Sequence, residues 1–313
     1  MAQKHEKYQQ LLARCRTLAP LPTAVAHPCD ESSLRGAVEA SQLGIIAPTL
    51  VGPRARIEAI ARQYGLDISR FPIVDTPHSH ASAEAAVRLA SEGKVEMLMK
   101  GSLHTDELMT EVLRKEAGLR TARRISHCFV MDVPALDRAI IITDAAINIF
   151  PTLEEKVDIV QNAIDLAAAL GLKSPKVAIL SAMETVSPKV PSTVEAAALC
   201  KMAERGQITG GILDGPLALD NAINLSAAKI KQIDSPVAGQ ADILVVPDLE
   251  AGNMLAKSLS FMAEADAAGI VLGARVPIIL TSRADSVTTR LASCGVAALV
   301  ANARREAATR AVA

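Results

Sequence analysis

Aromatic residues are nearly absent from this chain, which has four phenylalanines, two tyrosines and no tryptophan among its 313 residues. Any buried core must therefore be aliphatic, and the hydrophobic fraction of 50% is large enough to build one. The formal net charge is only −1, which argues against nucleic acid or an anionic membrane as a bulk partner. No apolar stretch is long enough to span a membrane, so we expect no membrane association.

The five cysteines form no CxxC pair and no evident disulfide framework. Reduced thiols are typical of the cytosol, and the first ten residues contain no signal-peptide core. We therefore expect a soluble cytoplasmic protein. The five positions are Cys15, Cys29, Cys128, Cys200 and Cys294.

Short apolar runs alternate with amphipathic stretches of helical length, which predicts βαβ units and a parallel sheet. At this length the chain can form two domains. A capping box, Thr152 to Glu155, starts one predicted helix, and a second box is expected at Ser192 and Glu195. Strands are predicted at 45–51, 71–74, 95–99, 140–143, 176–181, 207–214 and 241–246.

The stretch 274–289 is the most informative part of the chain. It opens with an unbroken apolar run at 276–280, which predicts a buried strand of a parallel sheet. Ser282 is a suitable N-cap for the helix that follows, and Asp285 can complete a capping box. Arg283 lies at this junction, where free backbone N–H groups and the helix dipole favour anions. The alternative is that Ser282 and Asp285 only cap the helix.

Two further polar segments follow or flank predicted strands. Residues 100–105, KGSLHT, place Ser102 in a loop at a strand's carboxyl end, where ligands of open α/β sheets bind. Residues 120–124 hold three arginines beside an apolar strand that contains Ser126. The alternative for residues 100–105 is a polar connection that binds no ligand. The alternative for residues 120–124 is a basic cluster that only faces solvent.

Three other possibilities are set aside. His127 and Cys128 are neighbours in a predicted strand, so their side chains point to opposite faces and form no nucleophilic dyad. His78 and His80 lack an obvious third ligand, so we predict no metal site. The chain also contains neither a GxGxxG fingerprint nor a GxxxxGK[ST] loop.

Five segments in this order resemble the phosphate acetyl/butyryl transferase family over essentially the whole chain. They are KGSLHT at 100–105, RRISHCFVM at 123–131, TDAAINIFP at 143–151, VVPDLEAGNMLAKSL at 245–259, and the strand and turn that carry Ser282 and Arg283.

The resemblance implies an acyltransferase that moves a short acyl group (acetyl, propionyl or butyryl) reversibly between coenzyme A and inorganic phosphate. The expected fold is two three-layer α/β/α domains with a cleft between them, like the isocitrate and isopropylmalate dehydrogenases. The domains are expected at 1–134 plus 275–313 and at 135–274. The expected partners are acyl-CoA, phosphate, acyl phosphate and a second copy of the chain. Coenzyme A would act as a co-substrate, with no tightly bound cofactor and no metal.

Family members carry active-site residues that match Ser282, Arg283, Arg124 and Ser126 here. The family aspartate proposed to deprotonate the coenzyme A thiol matches Thr289, which cannot act as that base. Asp285 and Asp144 are the nearest replacements by motif. Ser102, Asn253 and Lys257, in the matching segments, complete the candidate substrate-binding set.

Two alternatives to the enzyme stay open at this stage. Without the family base, the chain could be an inactive acyl-CoA-binding regulatory protein. On the same fold it could also be a metal- and NAD-dependent decarboxylating dehydrogenase, although Asp242, Asp248 and Asp266 are not spaced as a metal-binding cluster.

Overall fold

A computed structural model describes residues 6–115, 118–282 and 285–312 as alternating helices and strands. The helices are α1 (Glu6–Cys15), α2 (Glu31–Gln42), α3 (Arg54–Tyr64), α4 (Ser79–Ser91), α5 (Thr105–Leu113), α6 (Leu153–Ala169), α7 (Pro191–Glu204), α8 (Leu219–Ile223), α9 (Leu225–Ile230), α10 (Leu249–Met262) and α11 (Val287–Val312). The strands are β1 (Leu21–Ala26), β2 (Ile46–Gly52), β3 (Ile73–Asp75), β4 (Met97–Lys100), β5 (Ser126–Asp132), β6 (Ile140–Thr143), β7 (Lys176–Leu180), β8 (Ile212–Leu217), β9 (Ile243–Val245), β10 (Asp266–Leu272) and β11 (Ile278–Ile279).

The first compact unit lies within Met1–Arg123 and Ala268–Ala313. Its strands follow the order β3-β2-β1-β4-β11-β10. The first five run parallel, and β10 runs antiparallel to β11. Ile278 and Ile279 lie opposite Leu98 and Met99 of β4, so the late strand joins the N-terminal strands.

The second compact unit spans Arg124–Ala267, with strand order β5-β6-β9-β7-β8. Only β5 runs antiparallel to its neighbour β6, and the other pairs are parallel. Its core is aliphatic, as the composition predicts, and includes Ile142, Leu180, Leu217 and Leu244. The two units thus have the mixed α/β character and the mainly parallel strands that the sequence indicates.

The two compact units divide the chain near residues 123 and 267. The predicted domains differ from them only in where residues 124–134 and 268–274 are placed. As a statement about separately folding domains, 1–134 plus 275–313 and 135–274 stay a prediction.

Local sequence signals succeed where the helix start depends on neighbouring residues alone. The box at α6 is present: Thr152 Oγ1 accepts from Glu155 N at 3.3 Å, and Glu155 Oε2 accepts from Thr152 N at 2.9 Å. The predicted box at Ser192 is wrong, because α7 begins one residue earlier at Pro191. Ser192 instead contacts the Ser181 hydroxyl at 2.8 Å, and Glu195 pairs with Lys156.

The strand predicted at 207–214 is displaced toward the C-terminus, since β8 starts at Ile212. The cause is a side chain of α6. Gln161 donates to the carbonyl of Thr209 at 3.0 Å and accepts from its N–H at 2.9 Å, which removes both groups from a strand ladder. Of the helices in the described ranges, none combines the length and apolarity needed to cross a membrane.

Candidate functional site

The carboxyl ends of β1, β4 and β11 open on one edge of the first unit, because β4 runs parallel to both of its neighbours. Three connections leave from this edge: residues 27–30, residues 101–104 and residues 280–286. In open α/β sheets this is the edge where ligands bind. Ser102, Ser282 and Asp285 therefore emerge on the same side of one unit.

The turn at Ser282 differs from the predicted helix cap. Asp285 Oδ2 accepts from Ser282 N at 2.6 Å, and Asp285 N donates back to Ser282 O at 3.2 Å. The helix α11 begins only at Val287, where Ser286 Oγ accepts from Thr289 N at 3.1 Å. Ser286 is therefore the cap and Ser282 is not. Ser282 and Asp285 thus bond to each other ahead of the helix, and Ser282 is exposed. Arg283 lies outside the described residues.

A buried arginine holds this turn from behind. Arg290, in the first turns of α11, is fully buried. Its guanidinium donates to Thr281 Oγ1 at 2.7 Å, to Ser282 O at 3.0 Å and to Ser32 Oγ at 3.2 Å. Burial lowers the pKa of Arg290, and the nearby carboxylates of Asp30 and Asp285 oppose that shift. The sequence analysis missed this residue, since an arginine in a helix is normally solvated.

Ser102 is held by the backbone of the neighbouring strand. Its hydroxyl donates to His27 O at 2.9 Å and accepts from Cys29 N at 3.3 Å. The approach requires glycine at position 101, because a Cβ there would lie 2.4 Å from Ala26 O and 2.5 Å from His27 O. Ser102 therefore joins the 27–30 and 101–104 connections, and its hydroxyl is already engaged.

We expect Gly101→Ala to destabilise the protein by about 3 kcal/mol, the upper end of the usual cost of overpacking, because both contacting atoms are backbone and cannot rotate away. Chemical denaturation of the purified variant measures this loss. Gly93→Ala is the matched control, since Gly93 has φ 71° but nothing lies within 4 Å of a Cβ there. Its cost should be only about 1–2 kcal/mol, from the left-handed backbone. Equal or reversed costs would contradict the close approach.

A cavity of about 340 Å³ lies at the same edge of the first unit. This volume is within the range of small-molecule sites. Polar side chains from several elements line it, including His27, Asp30, Arg56, Ser102, His104 and Glu107. The sequence analysis selected only Ser102 of this group.

In the second unit, Asp144 follows β6 and is almost fully buried. Its carboxylate accepts hydrogen bonds from the N–H groups of Ala146, Ile147 and Asn148 and from the Asn148 side chain, at 2.5–3.2 Å. Burial raises the pKa of Asp144, and these hydrogen bonds partly offset the increase. The carboxylate thus organises the 144–148 loop, and its acceptor sites are occupied.

Arg124 joins this network through the same asparagine. Its Nε donates to Asn148 Oδ1 at 2.8 Å, and its Nη1 pairs with Glu155 at 3.0 Å. The side chain is 50% exposed, so part of the guanidinium fork faces solvent in an orientation that two partners fix. Ser126 differs, because it is fully buried and its hydroxyl accepts from Asn162 Nδ2 at 2.8 Å.

Helix α10 carries the last two candidates. Asp248 caps it by accepting from Ala251 N at 2.8 Å. Asn253 Nδ2 donates to the carbonyl of Ala145 at 3.2 Å, which ties α10 to the Asp144 loop. Lys257 is exposed one turn further on. The second unit therefore gathers Arg124, Asp144 and Asn253, with Asn148 as a connecting residue that the sequence analysis did not select.

The His127–Cys128 pair is not placed as a nucleophilic dyad. His127 and Cys128 are adjacent in β5 and both are fully buried. Burial lowers the pKa of His127 to about 3 and raises that of Cys128 to about 12. Within residues 6–115, 118–282 and 285–312, no group of three His, Cys, Asp or Glu side chains is placed to hold a metal ion.

The sequence pattern of the Phosphate acetyl/butaryl transferase family matches residues 79–298. A phosphate acetyltransferase from Rhizobium meliloti is 68% identical over 306 residues, which cover 98% of this chain and 97% of the relative. The chain belongs to the phosphate acetyl/butaryl transferase family.

Further comparisons agree with this membership of the phosphate acetyl/butaryl transferases. A phosphate butyryltransferase from Clostridium acetobutylicum is 42% identical over 296 residues, covering 95% of this chain and 98% of the relative. The crystal structure of a branched-chain phosphotransacylase from Enterococcus faecalis V583 shares 31% identity with a TM-score of 0.79, covering 90% of this chain and 99% of that one. The predicted family, α/β fold class and phosphate acyltransferase activity are confirmed.

Proposed function

We propose that this phosphate acetyl/butaryl transferase moves short straight acyl groups, from acetyl to butyryl, reversibly between coenzyme A and inorganic phosphate. The observation that carries the proposal is the exposed turn at Ser282, at the carboxyl edge of β11. Asp285 fixes its backbone N–H and Arg290 fixes its carbonyl. An exposed residue whose backbone is held from two sides can bind a reacting group without first having to become ordered.

Ser282 is proposed to stabilise the oxyanion that forms when a nucleophile attacks the acyl carbonyl. Arg283 is proposed to bind phosphate, because a guanidinium fork matches two phosphate oxygens. Asp285 stays a candidate base, with one carboxylate oxygen on the Ser282 N–H. The geometry of Asp144 supports a role in shaping its loop, although it too was proposed as a base.

The substrate-binding proposals fall into three classes by geometry. Arg124 and Lys257 can each offer positive charge to an anionic part of a substrate, since both reach solvent. Asn253 contacts Ala145 and is only partly buried. Ser102 and Ser126 have engaged hydroxyls, so they can act on a substrate mainly through the backbone and side chains that they position.

The chemistry needs no covalent acyl-enzyme. In one direction a coenzyme A thiolate attacks the carbonyl carbon of acyl phosphate. The bond between that carbon and the bridging phosphate oxygen breaks, and phosphate leaves. The reverse reaction breaks the thioester bond. A thiol with a pKa near ~8.5 is mostly protonated at neutral pH, so a base accelerates the first direction.

We also propose that coenzyme A is an exchangeable co-substrate, that the enzyme works without a tightly bound cofactor, and that it is a cytoplasmic homodimer. The five free cysteines support a reducing compartment. Light scattering on the purified enzyme would measure the mass of the assembly, and a single-chain mass of 32.9 kDa would contradict the dimer.

The decisive experiment is a phosphate-dependent assay of acyl-CoA consumption. We expect turnover that requires phosphate and produces both free thiol and acyl phosphate. Parallel reactions with NAD and a divalent metal ion test the dehydrogenase alternative. Binding of acyl-CoA without turnover would support the regulatory alternative instead and would contradict the proposal.

We expect acetyl-, propionyl- and butyryl-CoA all to be substrates. The chain has few aromatic residues, so an acyl pocket lined by small aliphatic groups should distinguish neighbouring chain lengths by only about 1–3 kcal/mol. Comparison of kcat/KM for the three acyl-CoAs at one phosphate concentration measures this. A thousandfold preference for one of them would contradict the expectation.

A further inference from the structure

His27 is an unusually constrained residue at the carboxyl end of β1. Its φ is 55°, a backbone conformation that few non-glycine residues adopt. Its N–H donates to Val51 O at 2.7 Å, and its carbonyl accepts from Ser102 N at 2.9 Å and from Ser102 Oγ at 2.9 Å. Contacts from two neighbouring strands and loops thus hold one strained residue, which is an arrangement found at functional sites.

Contacts of the imidazole indicate which ring nitrogen carries the proton. Nδ1 lies 3.0 Å from Ser82 Oγ, and Ser82 Oγ donates to the carbonyl of His78 at 2.9 Å. Ser82 Oγ also lies 2.8 Å from Thr76 Oγ1. In the arrangement in which the single hydroxyl proton of Ser82 is donated to the His78 carbonyl, Nδ1 is the donor to Ser82. In the neutral ring, Nε2 is then an unprotonated acceptor. It makes no hydrogen bond to any residue in the described part of the chain.

The cavity around His27 also contains the imidazole of His104 and the carboxylates of Asp30 and Glu107. The carboxylate of Asp30 accepts from Ser33 N at 2.8 Å, and that of Glu107 accepts from His104 N at 3.0 Å and from Ser79 Oγ at 2.9 Å. Asp30 is the N-cap of α2, whereas Glu107 completes the capping box of α5 and also contacts His80 Nε2 at 3.2 Å.

Arg56, which also lines the cavity, makes no side-chain hydrogen bond or ion pair within the described ranges, so it can attract an anionic ligand.

A short hydrogen-bonded path connects the cavity to the Ser282 turn inside the first unit. Arg290 donates to Ser282 O and to Ser32 Oγ. Ser32 Oγ donates to Asp30 Oδ1 at 3.2 Å, and Asp30 lines the cavity. The His27 imidazole and Ser282, the proposed oxyanion-binding residue, therefore lie in adjoining parts of the carboxyl edge of the first unit's strands.

We propose that Nε2 of His27 accepts the proton of the coenzyme A thiol and thereby takes the place of the family aspartate that Thr289 replaces. The proposal rests on the acyltransferase function given above. In the direction that forms acyl-CoA, the S–H proton moves to Nε2 as sulfur attacks the acyl phosphate carbonyl. Phosphate leaves with the electron pair of the broken C–O bond. In the reverse direction the imidazolium returns the proton to the departing sulfur.

The charge around the ring is consistent with this role. Burial and the nearby Arg56 lower the pKa of His27 below its usual 6.5, and His78 acts in the same direction. Glu107 and Asp30 oppose the decrease. A lowered pKa means that the ring is neutral, and able to accept a proton, throughout the range above 6.5.

The test is His27→Asn, with kcat/KM for coenzyme A measured from pH 6 to 9.5 at saturating acyl phosphate. Asparagine tolerates a positive φ and its amide can still donate to Ser82, so the variant removes mainly the base. Without a base the enzyme must use pre-ionised thiol, which is about one thirtieth of the total at pH 7 for a pKa near ~8.5. We expect a loss of about thirtyfold at pH 7 that falls to less than about twofold near pH 9.

His78→Asn is the matched control, since it makes the same change in a nearby histidine outside the cavity and asparagine still caps α4. Ser82→Ala is the second variant if His27→Asn does not fold. It removes the hydroxyl that contacts Nδ1 of His27, so the acidic limb of the pH profile of kcat/KM should become weaker. A pH-independent loss, or no loss, would overturn the assignment, as would an acidic limb that disappears only in Asp285→Asn. Wild-type enzyme without phosphate-dependent turnover would instead refute the proposed function.

Discussion

Replacement of Ser282 by alanine should lower kcat by roughly a hundredfold or more while the protein stays folded, because a transition-state hydrogen-bond donor contributes about 2.7–4 kcal/mol. The structure removes the competing explanation for such a loss. Ser282 does not cap α11, so its hydroxyl contributes little to helix stability. Steady-state rates with acetyl-CoA and phosphate, together with melting curves, measure both quantities.

Ser286→Ala is the natural control for that experiment. Ser286 accepts from Thr289 N and is the cap of α11, so its loss should cost about 0.5–2 kcal/mol of stability and change kcat much less. The two serines are four residues apart and undergo the same substitution. If Ser286→Ala lowers kcat as much as Ser282→Ala does, the turn acts through helix stability and the catalytic role of Ser282 is refuted.

Local patterns predicted much of the fold because they depend on contacts between near neighbours. The strand 140–143 has the predicted bounds, and the capping box from Thr152 to Glu155 starts α6 as predicted. Phosphate acyltransferase motifs likewise located the Ser282 turn and the Asp144 loop. Such signals are short-range, so they remain readable without knowledge of the tertiary structure.

Apart from the cap of α11, which local bonds place at Ser286, the errors and omissions named here arise from distant contacts. Gln161 reaches Thr209 across 48 positions and shifts the start of β8. Arg290 reaches Ser32 across 258 positions, and His27 reaches Ser82 across 55. Each side chain looks unremarkable in its own segment. His27 offered one signal, its position directly after a buried strand, but the residues that fix its ring nitrogens come from other elements.

The second large effect is expected for Arg290→Met, which keeps the aliphatic volume and removes the guanidinium. Two of its hydrogen bonds fix Thr281 and the Ser282 carbonyl, and bonds to a charged group contribute about 1.5–3 kcal/mol each. If half of this combined energy is lost from the transition state, kcat should fall by about tenfold to a hundredfold. Stability should change less than kcat, because a buried charge also carries a desolvation cost that methionine avoids.

The measurement must separate positioning from folding, so kcat, KM for acyl-CoA and the unfolding midpoint are needed for each variant. A positioning role predicts a large fall in kcat with a small change in KM. Arg290→Lys should recover only part of the rate, because a single ammonium cannot reach Thr281, Ser282 and Ser32 together.

Gly36 of α2 allows a second test of the same role, since a Cβ there would lie 3.0 Å from Cδ of Arg290. Gly36→Ala should therefore shift the Arg290 side chain by a few tenths of an ångström and lower kcat in the same direction. Full activity in Arg290→Met would show that the Ser282 turn keeps its shape without the buried arginine, and the proposed support of the active site would then have to come from Asp285 alone.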